Sequence, residues 1–316
     1  MQNTAMQTSA RPLVSVVFSF RNEAENIPTL IARLAAMFAG EPVEYELVFV
    51  NDNSTDASLD RLLEERQRNP RVKIVDMSRR FGVAEGVLAG MAASRGDAVI
   101  YMDADLQDPP EVIPALLAKW RAGADVVHTV RTRRHGEHPL KMLATSWAYR
   151  IIQLGSAIDL PVDAGDFKLL TRAAVTHLLQ VRESDPYLRG LVVWLGFTQV
   201  FVPYERDARH AGRTHFPFFS PNPWKTFCVG MTSFSFLPIY ACWALAAAGL
   251  VGSFFLLFVS GPLMAALAFF WATTLAAVGG VGLYVIRIYK DVRGRPAYIV
   301  KSIIGHDDDN TGTGPR

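Results

Sequence analysis

Apolar positions come in short blocks through the N-terminal part of the chain and then fuse into one long uncharged stretch near the C-terminus. Leu13 to Phe20 is a β-rich apolar run, and Glu25 to Phe38 carries Ile27, Leu30, Ile31, Leu34 and Met37 at helical spacing. The same reading predicts strands at Tyr45 to Val50, Val72 to Val75, Ala98 to Met102 and Asp125 to Val130. It predicts helices at Asp56 to Arg66, Ala84 to Ala93 and Pro110 to Trp120. This strand-helix alternation predicts an α/β domain, a Rossmann-like and mainly parallel sheet with helices on both faces. Beyond Arg131 the pattern loosens into a helix at Pro139 to Ser156, a loop entering a short strand at Asp163 to Leu170, and a last strand at Phe197 to Pro203.

The C-terminal stretch has a different solvent. From Thr226 to Ile286 there is no Asp, Glu, Lys or Arg, a length that accommodates two spans of about 20 residues each. A charge at the centre of a span costs about 2.5 to 3.5 kcal/mol, so this absence points to lipid. Ser260-Gly261-Pro262 is the natural turn, which places the spans at Leu237 to Val259 and Leu263 to Val285. Arg206, Arg209, Arg213 and Lys225 precede the first span, and Arg287, Lys290, Arg293, Arg295 and Lys301 follow the second. By the positive-inside rule both flanks are cytoplasmic, giving a multi-pass protein of the inner membrane with the large N-terminal domain and both termini in the cytoplasm. Phe216 to Phe227, with its aromatics, prolines and Lys225, suits an interfacial segment. The expected division is a disordered 1–12, a catalytic domain over 13–215, a juxtamembrane segment over 216–236, two spans within 237–286, and a cytoplasmic segment and tail over 287–316.

Candidate chemistry gathers where predicted strands end, which is where open α/β sheets bind ligands. Arg21-Asn22-Glu23, Asn51-Asp52-Asn53-Ser54 and Ser78-Arg79-Arg80 each follow a strand, and Val99 to Met102 runs into Asp103-Ala104-Asp105-Leu106-Gln107-Asp108-Pro109-Pro110. In an extended segment residues i and i+2 project to one side, so Asp103 and Asp105 can address one ion. Such oxygens suit Mg²⁺ or Mn²⁺, which typically bridges protein to a substrate diphosphate. Asp108 before Pro109 reads as a helix N-cap.

Composition narrows the classes. Half of the 316 residues are hydrophobic, and the net charge is +2, a balance with no nucleic-acid footprint. The basic flanks could instead meet anionic lipid head groups. Residues 1 to 12 lack the apolar core of a signal peptide. Cys228 and Cys242 are too few and wrongly placed for a disulfide framework or a zinc site.

Taken in order, Val14-Ser15-Val16-Val17 with Arg21-Asn22-Glu23, Phe49-Val50-Asn51-Asp52-Asn53-Ser54-Thr55-Asp56, Ser78-Arg79-Arg80-Phe81-Gly82, the Asp103 to Pro110 cluster and Gly165-Asp166-Phe167-Lys168-Leu169 resemble the family-two glycosyltransferases of the GT-A fold. The nearer likeness is to the polyprenyl-phosphate glycosyltransferases, which include bactoprenol glucosyltransferases and dolichyl-phosphate mannose synthase. It extends through the spans to Arg287-Ile288-Tyr289 and Gly294 to Val300. The Gln-x-x-Arg-Trp motif of processive synthases is absent, as is a Gly-x-Gly-x-x-Gly after the first strand.

The resemblance implies inverting transfer of one hexose from a nucleotide sugar, UDP-glucose first, to membrane polyprenyl phosphate such as undecaprenyl phosphate. GDP-mannose or an amino sugar as donor is the alternative of the same chemistry, and a non-catalytic membrane scaffold is the alternative of another class. It implies Phe20, Glu23, Asp52, Arg79 and Asp103 on the donor, a divalent cation on Asp103, Asp105 and Gln107, and Arg209 closing near the diphosphate. A phosphomonoester is largely ionised at neutral pH because its second pKa is about 6, so the acceptor needs cations and hydroxyls more than a strong base. Arg131, Lys141 and Thr145 are the candidates, and the resemblance puts the acceptor-phosphate residues of dolichyl-phosphate mannose synthase at these positions, with Lys141 replacing an Arg. Asp166 stands where the resembling enzymes are given a base; here it is either that base or a group that orients the acceptor. Asp105, Asp166, Arg131 and Arg209 form the expected catalytic set. His215 and Val83 stand where the family often has Lys. Homologous enzymes can form tetramers.

Overall fold

The computed structural model describes residues 11–134, 164–206, 229–258 and 263–305. The N-terminal half follows the predicted alternation: β1 (Leu13–Phe20), α1 (Ile27–Phe38), β2 (Glu44–Asn51), α2 (Ser58–Arg68), β3 (Val72–Met77), α3 (Val83–Ala93) and β4 (Ala98–Tyr101). A single turn of 3₁₀ helix at Pro110–Val112 leads into α4 (Ile113–Arg121), which is followed by β5 (Val126–Arg134) and β6 (Ala164–Thr171). Then come α5 (Arg172–Gln180), α6 (Leu188–Trp194), β7 (Gln199–Arg206), α7 (Leu237–Phe258), α8 (Leu263–Val292) and β8 (Val300–Ile304).

All eight strands form one sheet in the order β7-β5-β6-β4-β1-β2-β3-β8. The pairings β4-β1, β1-β2, β2-β3 and β5-β7 are parallel, whereas β6 is antiparallel to both β4 and β5, and β8 is antiparallel to β3. The sheet is thus mixed, and the segment read as a loop entering a short strand is a full interior strand. The reversal matters for chemistry. The start of β6, with Gly165 and Asp166, lies at the same sheet edge as the carboxyl ends of β1, β2, β4, β5 and β7.

Strand alternation divides the apolar residues between two cores. One face buries Phe18, Phe49, Ile100 and Leu169 beneath Leu30 and Leu34 of α1, Leu62 of α2 and Leu116 of α4. The other buries Val17, Val50, Val99 and Leu170 beneath Leu88 and Met91 of α3, Val175 of α5 and Leu191 of α6. The result is three layers with the sheet between helices. Helix α3 approaches closely because a Cβ on Gly86 would collide with Ser19, and one on Gly90 with Val17.

Helices α7 and α8 lie antiparallel: Tyr284 Oη donates to the Ser235 carbonyl at 2.7 Å, and Cys242 Sγ faces the Ala276 carbonyl at 3.9 Å. Among the described residues one helical stretch, Phe269–Val292, is long and apolar enough to cross a membrane. The described apolar stretch of α7, Leu237–Gly249, is shorter than a span. The described residues thus support one span, in α8, and not the expected pair; α8 also runs past the expected end at Val285. Beyond it β8, which the sequence reading did not assign, returns the chain to the edge of β3, where Lys301 Nζ meets Asp76 Oδ2 at 3.2 Å.

Candidate active site

The site is built from the loop that leaves β4. Ala104 and Leu106 bury their side chains in the first core, each 3% exposed. Leu106 takes φ +61°, a conformation a bulky L-residue adopts only when its surroundings hold it there. With those two residues anchored, Asp103, Asp105 and Gln107 occupy the alternate positions, and Asp105 Oδ1 accepts the Gln107 N–H at 3.1 Å. Loss of hydration, with the carboxylates of Asp105, Asp108 and Asp166 nearby, pushes Asp103 up to about 7. Arg206 Nη2, 3.5 Å from Asp103 Oδ2, offsets part of that repulsion.

Asp108 is not the expected helix cap. No side chain caps the 3₁₀ turn, and Asp108 is fully buried, its Oδ1 accepting from Tyr204 Oη at 2.5 Å and Arg206 Nε at 3.2 Å. It bolts the aspartate loop to β7, a contact between residues 96 to 98 positions apart that no local spacing could announce. Arg131, near the end of β5, joins the same group: its Nε donates to Tyr204 Oη at 3.1 Å, and its Nη2 lies 4.0 Å from Asp108 Oδ1. Gly165 makes room for it, since a Cβ there would stand 3.0 Å from Arg131 Nη2.

Asp166 is gripped on both oxygens by Arg189 of α6, Nε to Oδ1 at 2.7 Å and Nη2 to Oδ2 at 2.5 Å. Burial acts to raise its carboxyl, but Arg189 outweighs that, with Lys168 and Arg131 assisting, and holds it well below the usual carboxylate range. A carboxylate so paired is a poor proton acceptor, so the geometry favours orientation over base catalysis. Two residues on, Lys168 is 1% exposed and sits in register with Tyr101 of β4. Burial lowers its ammonium to about 8.

The other group of expected residues surrounds the ends of β1 and β2. Asp52 accepts the backbone N–H groups of Phe81 at 2.6 Å and Gly82 at 3.2 Å, holding the turn that starts α3. Gly82 has φ +135°, which favours glycine there. Arg79 stacks on Phe81, 3.9 Å above the ring centroid. Glu23 is buried and accepts from Asn26 Nδ2 at 2.6 Å. Phe20 buries its ring edge-on to Phe49 in the core, so of this residue only the backbone can face a ligand. Asp56 Oδ1 accepts the Ser58 N–H at 3.0 Å in the turn before α2, whose N-cap position is Ala57.

Asp103, Asp105, Arg131 and Asp166 are therefore brought to one sheet edge, while Lys141, Thr145, Arg209 and His215 lie outside the described residues. Tyr204, Arg206 and Arg189 were missed. The first two sit at i and i+2 at the carboxyl end of β7, so the strand-end rule that picked out Asp103 and Asp105 could have found them. Arg189 carries no local signal. No group of three or more His, Cys, Asp or Glu among the described residues is arranged to hold a metal by itself. Two carboxylates on one loop nonetheless fit Mg²⁺ or Mn²⁺, which take one or two protein carboxylates and complete their shell with substrate phosphates.

Comparison with known proteins agrees with this architecture. Residues 15–179 match the profile of glycosyl transferase family 2. The chain is 37% identical over 305 residues to uncharacterized glycosyltransferase YkcC of Bacillus subtilis, covering 92% of this chain and 94% of that one. It is 32% identical over 307 residues to the SfII prophage-derived bactoprenol glucosyl transferase of Shigella flexneri, covering 91% and 97%. Among solved structures, glucosyl-3-phosphoglycerate synthase from Mycobacterium tuberculosis, in complex with Mn²⁺, UDP-glucose and phosphoglyceric acid, superposes with a TM-score of 0.50 at 20% identity over 70% of this chain and 78% of that one. That likeness concerns the GT-A fold alone. With a mixed sheet of that fold, an aspartate loop at its carboxyl edge and relatives aligned almost end to end, the chain belongs to glycosyl transferase family 2 and is a glycosyltransferase.

Proposed function

We propose that this enzyme transfers a single hexose, with inversion, from UDP-glucose to the phosphate of a membrane polyprenol such as undecaprenyl phosphate. The observation that carries the reading is the gathering of Asp103, Asp105, Arg131 and Asp166 at one sheet edge in a chain aligned over most of its length with bactoprenol glucosyl transferases. An acceptor phosphate oxygen attacks the anomeric carbon while the bond from that carbon to the diphosphate oxygen breaks. No proton need be removed from an acceptor that is already ionised. The residues have to hold two anions against their repulsion. Arg131 serves the acceptor phosphate, with Lys141 and Thr145, and Arg209 closes on the donor. Asp166, fixed by Arg189, orients the acceptor. Asp52, Glu23, Arg79 and the backbone at Phe20 shape the nucleoside pocket, Asp52 acting through the 81–82 turn it already binds.

Asp103 and Asp105, with Gln107 beside them, would hold a divalent cation whose Lewis acidity offsets charge on the leaving nucleoside diphosphate. The crowding of carboxylates around Asp103 supports this, because a cation would relieve it. The membrane reading is that α7 and α8 form two spans, with 13–215 and both termini on the cytoplasmic face of the inner membrane and 216–236 at the interface. The test incubates membranes containing the protein with labelled nucleotide sugars and polyprenyl phosphate, with and without Mg²⁺. Label from UDP-glucose is expected in an acid-labile, solvent-extractable lipid only with the cation. Label from GDP-mannose or an amino-sugar donor instead would replace the donor, and no labelled lipid from any donor would overturn the reading.

A further inference from the structure

Three successive residues tie the catalytic domain to the end of the apolar helix α8. Glu183 Oε2 meets Arg287 Nη2 at 2.9 Å, and Asp185 Oδ2 meets Lys290 Nζ at 2.5 Å. Between them the Ser184 N–H donates to Asp291 Oδ1 at 2.9 Å and its hydroxyl to the Lys290 carbonyl at 2.9 Å. Arg287, Lys290 and Asp291 are spaced i, i+3 and i+4, so they form one face of the last turns of α8. Arg287 reaches further, its Nη1 donating to the Val229 carbonyl at 3.3 Å and to Thr232 Oγ1 at 3.1 Å. The pair between Glu183 and Arg287 is sheltered, with side chains 24% and 17% exposed, unlike an open surface pair that contributes little.

The clasped loop runs straight into α6. Leu188, Leu191 and Val192 of α6 are buried, and Gly190 leaves no room for a side chain against the ring of Phe234, in the helical turn at 229–234. Helix α6 is therefore wedged between the sheet and the segment leading into α7, and its Arg189, four residues beyond Asp185, is the residue that grips Asp166. A continuous set of contacts thus runs from α8 through the clasp and α6 to the carboxylate at the sheet edge. Such a set carries coupling when its parts shift together.

We propose that the clasp of Glu183, Ser184 and Asp185 on Arg287, Lys290 and Asp291 sets the position of Arg189, and through it Asp166, so that the enzyme is competent only when α8 is seated. Glu183, Arg287 and Arg189 are positioning residues for the transfer. The inference rests on the reading above that Asp166 faces the acceptor.

The test measures kcat, KM for each substrate and thermal unfolding for the full chain in membranes, using Glu183→Arg, Arg287→Glu, their combination, Arg189→Lys and Asp166→Asn. Each single reversal is expected to lower kcat about tenfold with KM for the nucleotide sugar little changed, and the combined exchange to restore most of it. In the Arg189→Lys background, Glu183→Arg is expected to cost under about twofold more, because the link is already broken. Glu183→Gln provides the same reading with a milder fall should the reversal not fold. Full multiplication of the Glu183→Arg and Arg189→Lys losses overturns the proposal, as does an exchange that restores the unfolding temperature without restoring kcat. If Asp166→Asn leaves transfer intact, the assignment of Asp166 itself fails and takes the clasp's action on it along. Loss on Asp166→Asn with multiplying clasp losses removes the clasp alone.

Discussion

The aspartate loop shows how little a residue's type says until its neighbours are known. Asp103, Asp105 and Asp108 lie within six positions, yet Asp103 is pushed up by loss of hydration and then by its carboxylate neighbours, Asp105 closes a local turn, and Asp108 is fully buried under Tyr204 and Arg206. Sites that crowd like charges trade stability for function. Replacing Asp103 or Asp105 by Asn is therefore expected to lower kcat by about 100-fold or more, because the cation's stabilisation of the leaving group is worth several kcal/mol. For Asp103→Asn the unfolding temperature in metal-free buffer should hold or rise. Transfer assays alongside thermal unfolding check both, and retention of more than about a tenth of wild-type kcat would remove these residues from the cation site.

Within elements, sequence reading succeeded where periodicity acts over a few residues. The first four strands and the helices between them follow from alternating and 3.6-residue patterns, because each must bury one face or stripe against the sheet. At β6 it found a strand but made it too short, because the polar start at Gly165-Asp166 resembles a loop while the interior, Phe167, Leu169 and Leu170, is wholly buried. Charged residues inside strands were also unexplained by pattern. Glu46 of β2 lies 2.6 Å from Lys73 of β3 and accepts from Ser15 Oγ and the Arg95 N–H, both at 2.6 Å. Burial acts to raise Glu46, but Lys73, Ser15 and the Arg95 N–H together hold it below its usual 4.5. Its stabilising contribution is thus present above about pH 4.5 and is lost as pH falls through the lower folded value. Glu46→Gln is expected to cost about 3 kcal/mol near neutral pH, since it leaves Lys73 buried and unpaired. Denaturant unfolding in detergent across pH checks this: the gap to wild type should narrow below about pH 4.5, and a gap independent of pH would contradict it.

At the scale of the whole molecule, the segment after α8 returns to the sheet of the N-terminal half. After α8 the backbone pairs β8 with β3, covering an edge strand that would otherwise present unpaired N–H and C=O groups. Ending the chain after Gly294 is expected to lower the unfolding temperature by about 5 °C or to promote association through the bared β3 edge. Thermal unfolding and size-exclusion chromatography in detergent check this; an unchanged, monodisperse profile would show that β8 closes nothing. By itself the sequence determined the alternating α/β domain, the uncharged helix run and the aspartate loop, because each is written in residues close along the chain whose spacing maps onto one face or one strand end. Only the tertiary structure decided that β6 runs backwards to bring Asp166 to the carboxyl edge, that Arg189 neutralises it, that Tyr204 and Arg206 bolt down Asp108, and that β8 closes the sheet. Those contacts join residues tens to hundreds of positions apart, and strand order, direction and pairing partner leave no trace in local periodicity.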